Sequence, residues 1–151
     1  MMGIEVVVQI RKPPEVPGYN DTITIIEDNH FVYMCPASGG PNHRAPRNAG
    51  AGPWQSRYGR IAPGIYSYQA VDHKRYGLSL LVAGGGRVPS RTPNPRHDGE
   101  QYLDQIFVHC GWRDYWRGSA GCPVIHPTFW RGFQFFFRRG DRGSISIVDV
   151  P

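Results

Sequence analysis

The hydrophobic positions of this chain fall in short β-branched runs separated by Gly, Pro and polar clusters, a pattern that predicts strands joined by turns and long loops. Ile4 to Ile10 (IEVVVQI) reads as a first strand, stopped by Pro13, Pro14 and Pro17-Gly18. Thr22 to Ile26 and Phe31 to Met34 read as two more, joined through Glu27-Asp28-Asn29-His30, a polar tetrad suited to a hairpin turn. After Cys35 a long loop rich in Gly, Pro, Asn and Arg is expected up to about Arg60. Ile65 to Val71 alternates as a half-buried strand does, and Leu78 to Ala83 predicts another. A second loop, loaded with Gly, Pro and Arg, covers Gly84 to Gly99; loops of this length in a small domain tend to be functional or mobile. Gln105 to His109 predicts a strand ending on a histidine, and Ser144 to Val150 a last one.

One segment predicts a helix. Over Pro127 to Phe137 the apolar residues Phe129, Trp130, Phe133, Phe136 and Phe137 share one face at helical spacing. Pro127 suits the first turn, and Arg138-Arg139 complement the C-terminal dipole before Gly140 ends the run. The aromatic stripe reads as core packing. The expected fold is therefore mainly β, a β-rich α+β domain with one main helix, and residues 1–151 form one domain.

Composition narrows the function classes. No apolar run reaches the roughly 18–20 residues of a membrane span. The start, MMGIEVVVQIRK, carries no basic leader and reads as a strand, so an extracytoplasmic substrate implies another export route or a leader removed earlier. Lys+Arg 17 against Asp+Glu 12 gives +5, which favours polyanionic partners such as nucleic acid, anionic membrane or an acidic wall polymer. The basic residues are scattered, however, and the aromatics form no RNA-binding motif, so nucleic acid is not the expected partner. Three cysteines are too few and too irregular for a disulfide framework, and at least one thiol is expected free.

The chemistry concentrates in Ile106 to Pro127, IFVHCGWRDYWRGSAGCPVIHP. A strand delivers His109, a polar and aromatic loop follows, and Gly118-Ser119-Ala120-Gly121-Cys122 arrives just ahead of the helix. A thiol reacts as a thiolate, and a nearby imidazole or helix N-terminus favours that form. Small residues before Cys122 leave backbone N–H groups clear to face a developing oxyanion. Gly118 and Gly121 permit the tight backbone such a turn needs. From the pattern alone two readings stay open: a Cys122/His109 catalytic pair, or a small buried cysteine with a satisfied core histidine.

The same stretch resembles the active-site signature of the L,D-transpeptidase (YkuD-type) family, in which a strand-borne His-x-Gly precedes Ser-x-Gly-Cys. Here these are His109-Cys110-Gly111 and Ser119-Ala120-Gly121-Cys122, followed by Pro123-Val124-Ile125 and Trp130. Phe31 to Gly40 is similar to the family's early strand ending in a Ser-Thr-Gly-like turn, and Arg60 to Tyr66 to its Thr-Pro-x-Gly-x-Tyr entry into the central sheet. Two positions depart from the pattern: Ala120 stands where the family usually has His, and Val124 where it usually has Arg. They bear on how substrate is held and on whether amine or water accepts the acyl group.

The resemblance implies a β-sandwich or open barrel with one main helix after the cysteine. It also implies acyl transfer on peptidoglycan stem peptides, as L,D-transpeptidase or L,D-carboxypeptidase, without a cofactor. Cys122 would form the thioester and His109 would act as base, its ring oriented by the backbone carbonyl of Cys110. Ser119 would bond within the turn, and the N–H groups of Gly121 and Cys122 would form the oxyanion hole. Arg113 and Arg117 are candidates to bind a substrate carboxylate, while Trp112, Tyr115 and Trp116 are candidates for a rim, with Ala120 beside the substrate. The implied location is the periplasm, the cell wall or outside the cell, with an effector or phage-borne protein also open.

Rival readings remain. His109, Cys110, Cys122 and His126 are ligand-capable side chains in a short span, but paired Cys-x₂₋₄-Cys spacing is missing, and adjacent His109 and Cys110 on a strand point to opposite faces. A non-catalytic wall-binding module would use the same basic and aromatic residues. A Cys110–Cys122 disulfide would act as a redox lock.

Overall fold

The computed structural model describes residues 3–11, 19–39, 59–111 and 122–151. Its strands are β1 (Ile4–Arg11), β2 (Asp21–Glu27), β3 (His30–Ser38), β4 (Gly64–His73), β5 (Gly77–Val82), β6 (Val88–Pro89), β7 (Tyr102–Leu103), β8 (Phe107–Cys110), β9 (Val124–Ile125) and β10 (Arg142–Val150). Eight of them close into a barrel in the order β1-β10-β4-β5-β8-β9-β3-β2, with β2 returning to β1. The mainly β class read from the sequence is the observed one, and the sheet closes on itself.

Alternation along the strands explains the closure. Val6, Val8 and Ile10 of β1 face inward with Ile23 and Ile25 of β2, Cys35 and Ala37 of β3, and Ile145 and Ile147 of β10. Tyr68, Ala70, Leu80, Val82, Val108 and Ile125 complete the lining, each at most 2% exposed. An eight-stranded barrel leaves an interior that such side chains fill without a channel. Each buried Val or Ile contributes about 1.5–3 kcal/mol relative to exposure. β2 and β3 meet through Asp28 (φ 51°) and Asn29 (φ 63°), both left-handed, as a two-residue type I′ hairpin requires.

Most pairings are antiparallel, but β1/β10 and β8/β9 are parallel. In the barrel order these two junctions lie on opposite sides of the ring. The helix is shorter than the aromatic stripe suggests. Pro127–Phe129 form a 3-10 turn, and α1 runs only from Trp130 to Gln134. The stripe nonetheless does its packing: Trp130, Phe133 and Phe137 are buried, whereas Phe135 is exposed. Gly132, a poor helix former, lies against Tyr33, where a Cβ would meet the phenol oxygen at 2.5 Å. The segment read as a loop from Gly84 to Gly99 includes β6, which pairs with β7, and a 3-10 turn at Pro95–His97.

Candidate active site

β8 is the strand that organises the site. It pairs with β5 on one side (Leu80↔Val108, Leu81↔Phe107) and with β9 on the other (His109↔Val124, Cys110↔Ile125). Val108 and Ile125 point into the barrel, so alternation carries Phe107, His109 and Val124 to its outer face. Cys122 enters β9 two residues before Val124, alongside Phe107. The hydrogen bonds His109 N–H to Pro123 O (3.3 Å) and Gly111 N–H to Ile125 O (2.8 Å) hold the two segments together.

His109 is 7% exposed, and its Nδ1 lies 2.8 Å from the carbonyl oxygen of Cys110. A carbonyl only accepts, so Nδ1–H donates and the neutral ring keeps its lone pair on Nε2. The Tyr76 ring stacks on the imidazole at 4.2 Å and 14°. Tyr76 is itself fixed from behind. It sits in the turn between β4 and β5, and its carbonyl accepts the Trp130 indole N–H at 3.3 Å. Gln134 donates to Leu78 O at 3.0 Å in the same hairpin. The short helix therefore clamps the hairpin that presents Tyr76 to His109. His73 packs edge-on against Phe107 and close to Tyr76, both at 4.9 Å.

Electrostatics set the protonation states. Burial pushes His109 down to about 4; the Cys110 carbonyl bond opposes that shift, and the charges of His73 and Arg75 add to it. Burial pushes the Cys122 thiol up, against a backbone hydrogen bond at Phe107 and the positive charge of Arg96. Tyr76 is raised by burial, against the positive charge of Arg75 and with smaller upward contributions from Cys122 and Cys110. At neutral pH the pair is thus a neutral imidazole and a protonated thiol. That arrangement suits general-base removal of the thiol proton during attack, not a standing ion pair.

Beside the thiol opens a cavity of about 310 Å³ lined by Asn94, Arg96, His97, Asp104 and Cys122, with Leu103, Gln105 and Ile106. Neither Arg96 nor Tyr76 stands out in the sequence reading. The long Gly/Pro/Arg-rich loop holding Arg96 was the one linear signal for it, and Tyr76 has none, because pairing across β5 is what brings it to His109.

The sequence candidates divide as follows. His109 and Cys122 lie on β8 and on the segment leading into β9, and the Cys110 carbonyl meets the His109 ring while alternation turns the Cys110 side chain to the opposite face. Trp112, Arg113, Arg117, Ser119, Ala120 and Gly121, with Tyr115 and Trp116, lie outside the described residues. His126 is occupied otherwise. Its Nδ1 accepts the Thr128 N–H at 3.1 Å to cap the 3-10 turn, and its ring packs on Tyr19 at 4.8 Å. His109, Cys110, Cys122 and His126 form no group able to hold a metal ion. No disulfide joins Cys110 to Cys122.

Fold and site define a closed β-barrel protein with a histidine on β8 and a cysteine in the segment leading into the parallel neighbour β9. No protein-family model matches the chain, and no curated protein matches it. Two solved structures are similar to it. One is the crystal structure of an L,D-transpeptidase (Yku) from Stackebrandtia nassauensis, at 14% identity and TM-score 0.47, with 97% of this chain and 55% of that one covered. The other is the structure of Bd1075 from Bdellovibrio bacteriovorus, at 16% identity and TM-score 0.49, with 95% and 47% covered. The chain spans about half the length of the structures it matches.

Proposed function

We propose that this protein is a cysteine acyl-transfer enzyme of the L,D-transpeptidase type, acting on peptidoglycan stem peptides in the periplasm or cell wall. The observation that carries the reading is the His109 arrangement. Its Nδ1 is tied to the Cys110 carbonyl, its ring is stacked under Tyr76, and Cys122 stands just before β9, the parallel neighbour of the strand that carries His109. The resemblance of His109-Cys110-Gly111 and Ser119-Ala120-Gly121-Cys122 to the family signature supports the same roles.

In this mechanism Nε2 of His109 takes the thiol proton as Cys122 Sγ attacks the scissile carbonyl. The C–N bond breaks, the proton passes from His109 to the leaving amine, and a thioester remains on Cys122. Water or an amine then attacks the thioester, gives its proton to His109, and the thiolate leaves and is reprotonated. The depressed His109 value keeps Nε2 unprotonated from about pH 5 upward, so the base is available across the physiological range.

The test is incubation with purified muropeptides followed by mass spectrometry. Release of a terminal D-amino acid, with a transient acyl adduct on Cys122, is the expected result, and Cys122→Ala abolishes both. Loss of the residue without a new crosslink identifies a carboxypeptidase; a mass gain from an added amine identifies a transpeptidase. Equal activity of wild type and Cys122→Ala rejects the reading.

A further inference from the structure

We propose that Arg96 and the cavity beside Cys122 form a subsite for the free carboxylate of the leaving residue, so that the site accepts an unblocked peptide C-terminus. The inference rests on the acyl-transfer reading and adds a specificity-determining residue to it. Cys122 and Arg96 line one cavity of about 310 Å³, large enough for a single amino-acid residue beside the thiol. Arg96 is exposed to that space and has no ion-pair partner among the described residues, while the nearby acid Asp104 is engaged by His97 at 3.1 Å. A guanidinium without an internal carboxylate, facing a nucleophile, is suited to take a carboxylate bidentately from the ligand.

The backbone that carries Arg96 is built to stay put. Asn94 is 2% exposed; its Oδ1 accepts the Arg96 N–H at 3.0 Å, and its Nδ2 donates to Tyr102 O at 3.0 Å. Tyr102 is in turn held between the His97 ring (4.3 Å, 14°) and the Arg87 guanidinium (4.2 Å). The loop is thus pinned to the β6/β7 ribbon next to the thiol. Chemistry explains why a cation belongs there. In a peptide attacked at its last amide, the terminal carboxylate lies within one residue of the scissile carbon, about 3.8 Å between successive Cα atoms. An anion so placed enters the cavity that Arg96 and Cys122 line together. An internal peptide bond would bring no such charge, and the same cavity would have to take uncharged chain past an unpaired arginine.

Two measurements on the full chain test this. The first compares kcat/KM for a stem tetrapeptide ending in a free D-Ala carboxylate with its C-terminal amide. Wild type prefers the acid by about five- to twentyfold. Arg96→Ala drives that ratio toward one chiefly through KM, and Arg96→Lys restores part of it. The second does not need turnover: Cys122 is alkylated with iodoacetate and with iodoacetamide, and peptide mass spectrometry follows each rate. Arg96→Ala lowers the iodoacetate-to-iodoacetamide ratio at Cys122 several-fold, and Arg96→Lys leaves most of it. An alkylation ratio unmoved by Arg96→Ala overturns the subsite, as does an acid preference that survives the substitution. A ratio that moves in a protein that releases nothing from any stem peptide upholds the carboxylate subsite and rejects the peptidoglycan reading instead.

Discussion

His109 offers the sharpest quantitative test. Burial holds its folded value at about 4, against an ordinary histidine value of 6.5. The unfolded chain therefore binds the proton first as pH falls. The stability tied to the neutral ring is fully present above about pH 6.5 and is lost as pH drops toward 4. Between pH 7 and 4.5 the loss is about 2.5 kcal/mol, at 1.36 kcal/mol per unit. For a chain of this size that equals a fall of about 5–10 °C in Tm. Carboxylates and the other histidines titrate in the same window, so the measurement is a difference. Urea unfolding of wild type and His109→Gln is followed at pH 7 and at pH 4.5. Wild type is expected to lose about 2.5 kcal/mol more than the variant over that interval. Parallel losses in the two proteins would mean that His109 is not held neutral by burial, and the general-base argument would fall with it.

Three further outcomes follow from the same geometry. Tyr76→Ala removes the ring that covers the imidazole, so the His109 titration seen by NMR moves up from about 4 toward the ordinary value, whereas Tyr76→Phe leaves it nearly in place; equal shifts in both variants would refute the stacking argument. Cys35, 2% exposed inside the barrel with its thiol pushed up to about 12, is alkylated by iodoacetamide at pH 8 only as fast as the protein unfolds, and mass spectrometry after timed labelling shows Cys35 last of the three cysteines. Gly143→Ala places a Cβ 2.5 Å from the Ile4 carbonyl oxygen and 2.7 Å from the Tyr68 ring, which donates its own hydroxyl to that carbonyl. It is expected to cost about 2 kcal/mol in urea unfolding, because a backbone atom in a closed sheet cannot step aside.

The long strands were legible because each carries its own alternation. Ile4 to Ile10 sits within β1, Thr22 to Ile26 within β2 and Ser144 to Val150 within β10, each extended by a residue or two at its ends. The polar tetrad Glu27-Asp28-Asn29-His30 was legible as a turn because Asp and Asn tolerate the left-handed backbone observed at its centre. β9 was not legible: two residues, Val124 and Ile125, have no period, and their strand exists only through pairing with β3 and β8. The helix was overread at its end because Phe136 and Phe137 continue the apolar spacing, while the last turns are held by Phe133 O and Gln134 O as turns and not as α-helix. In the site, His109 and Cys122 carried a linear signal. Tyr76 and Arg96 reach them only through the closed sheet and the cavity, which spacing along the chain does not encode.

The two parallel junctions give the barrel an unusual assembly problem. The β1/β10 seam joins the first described strand to the last, across more than a hundred residues, and it lies across the ring from β8/β9. During synthesis β1 can pair with β2 early, but its other edge stays unsatisfied until β10 has emerged. Contacts of such long sequence separation slow folding and leave an exposed edge while they wait. The His109/Cys122 junction is complete once β9 has emerged, before the ring can shut. Assembly of the candidate site and closure of the barrel are thus separate events in the life of the chain. A nascent protein halted before β10 would carry Cys122 on an open, aggregation-prone sheet.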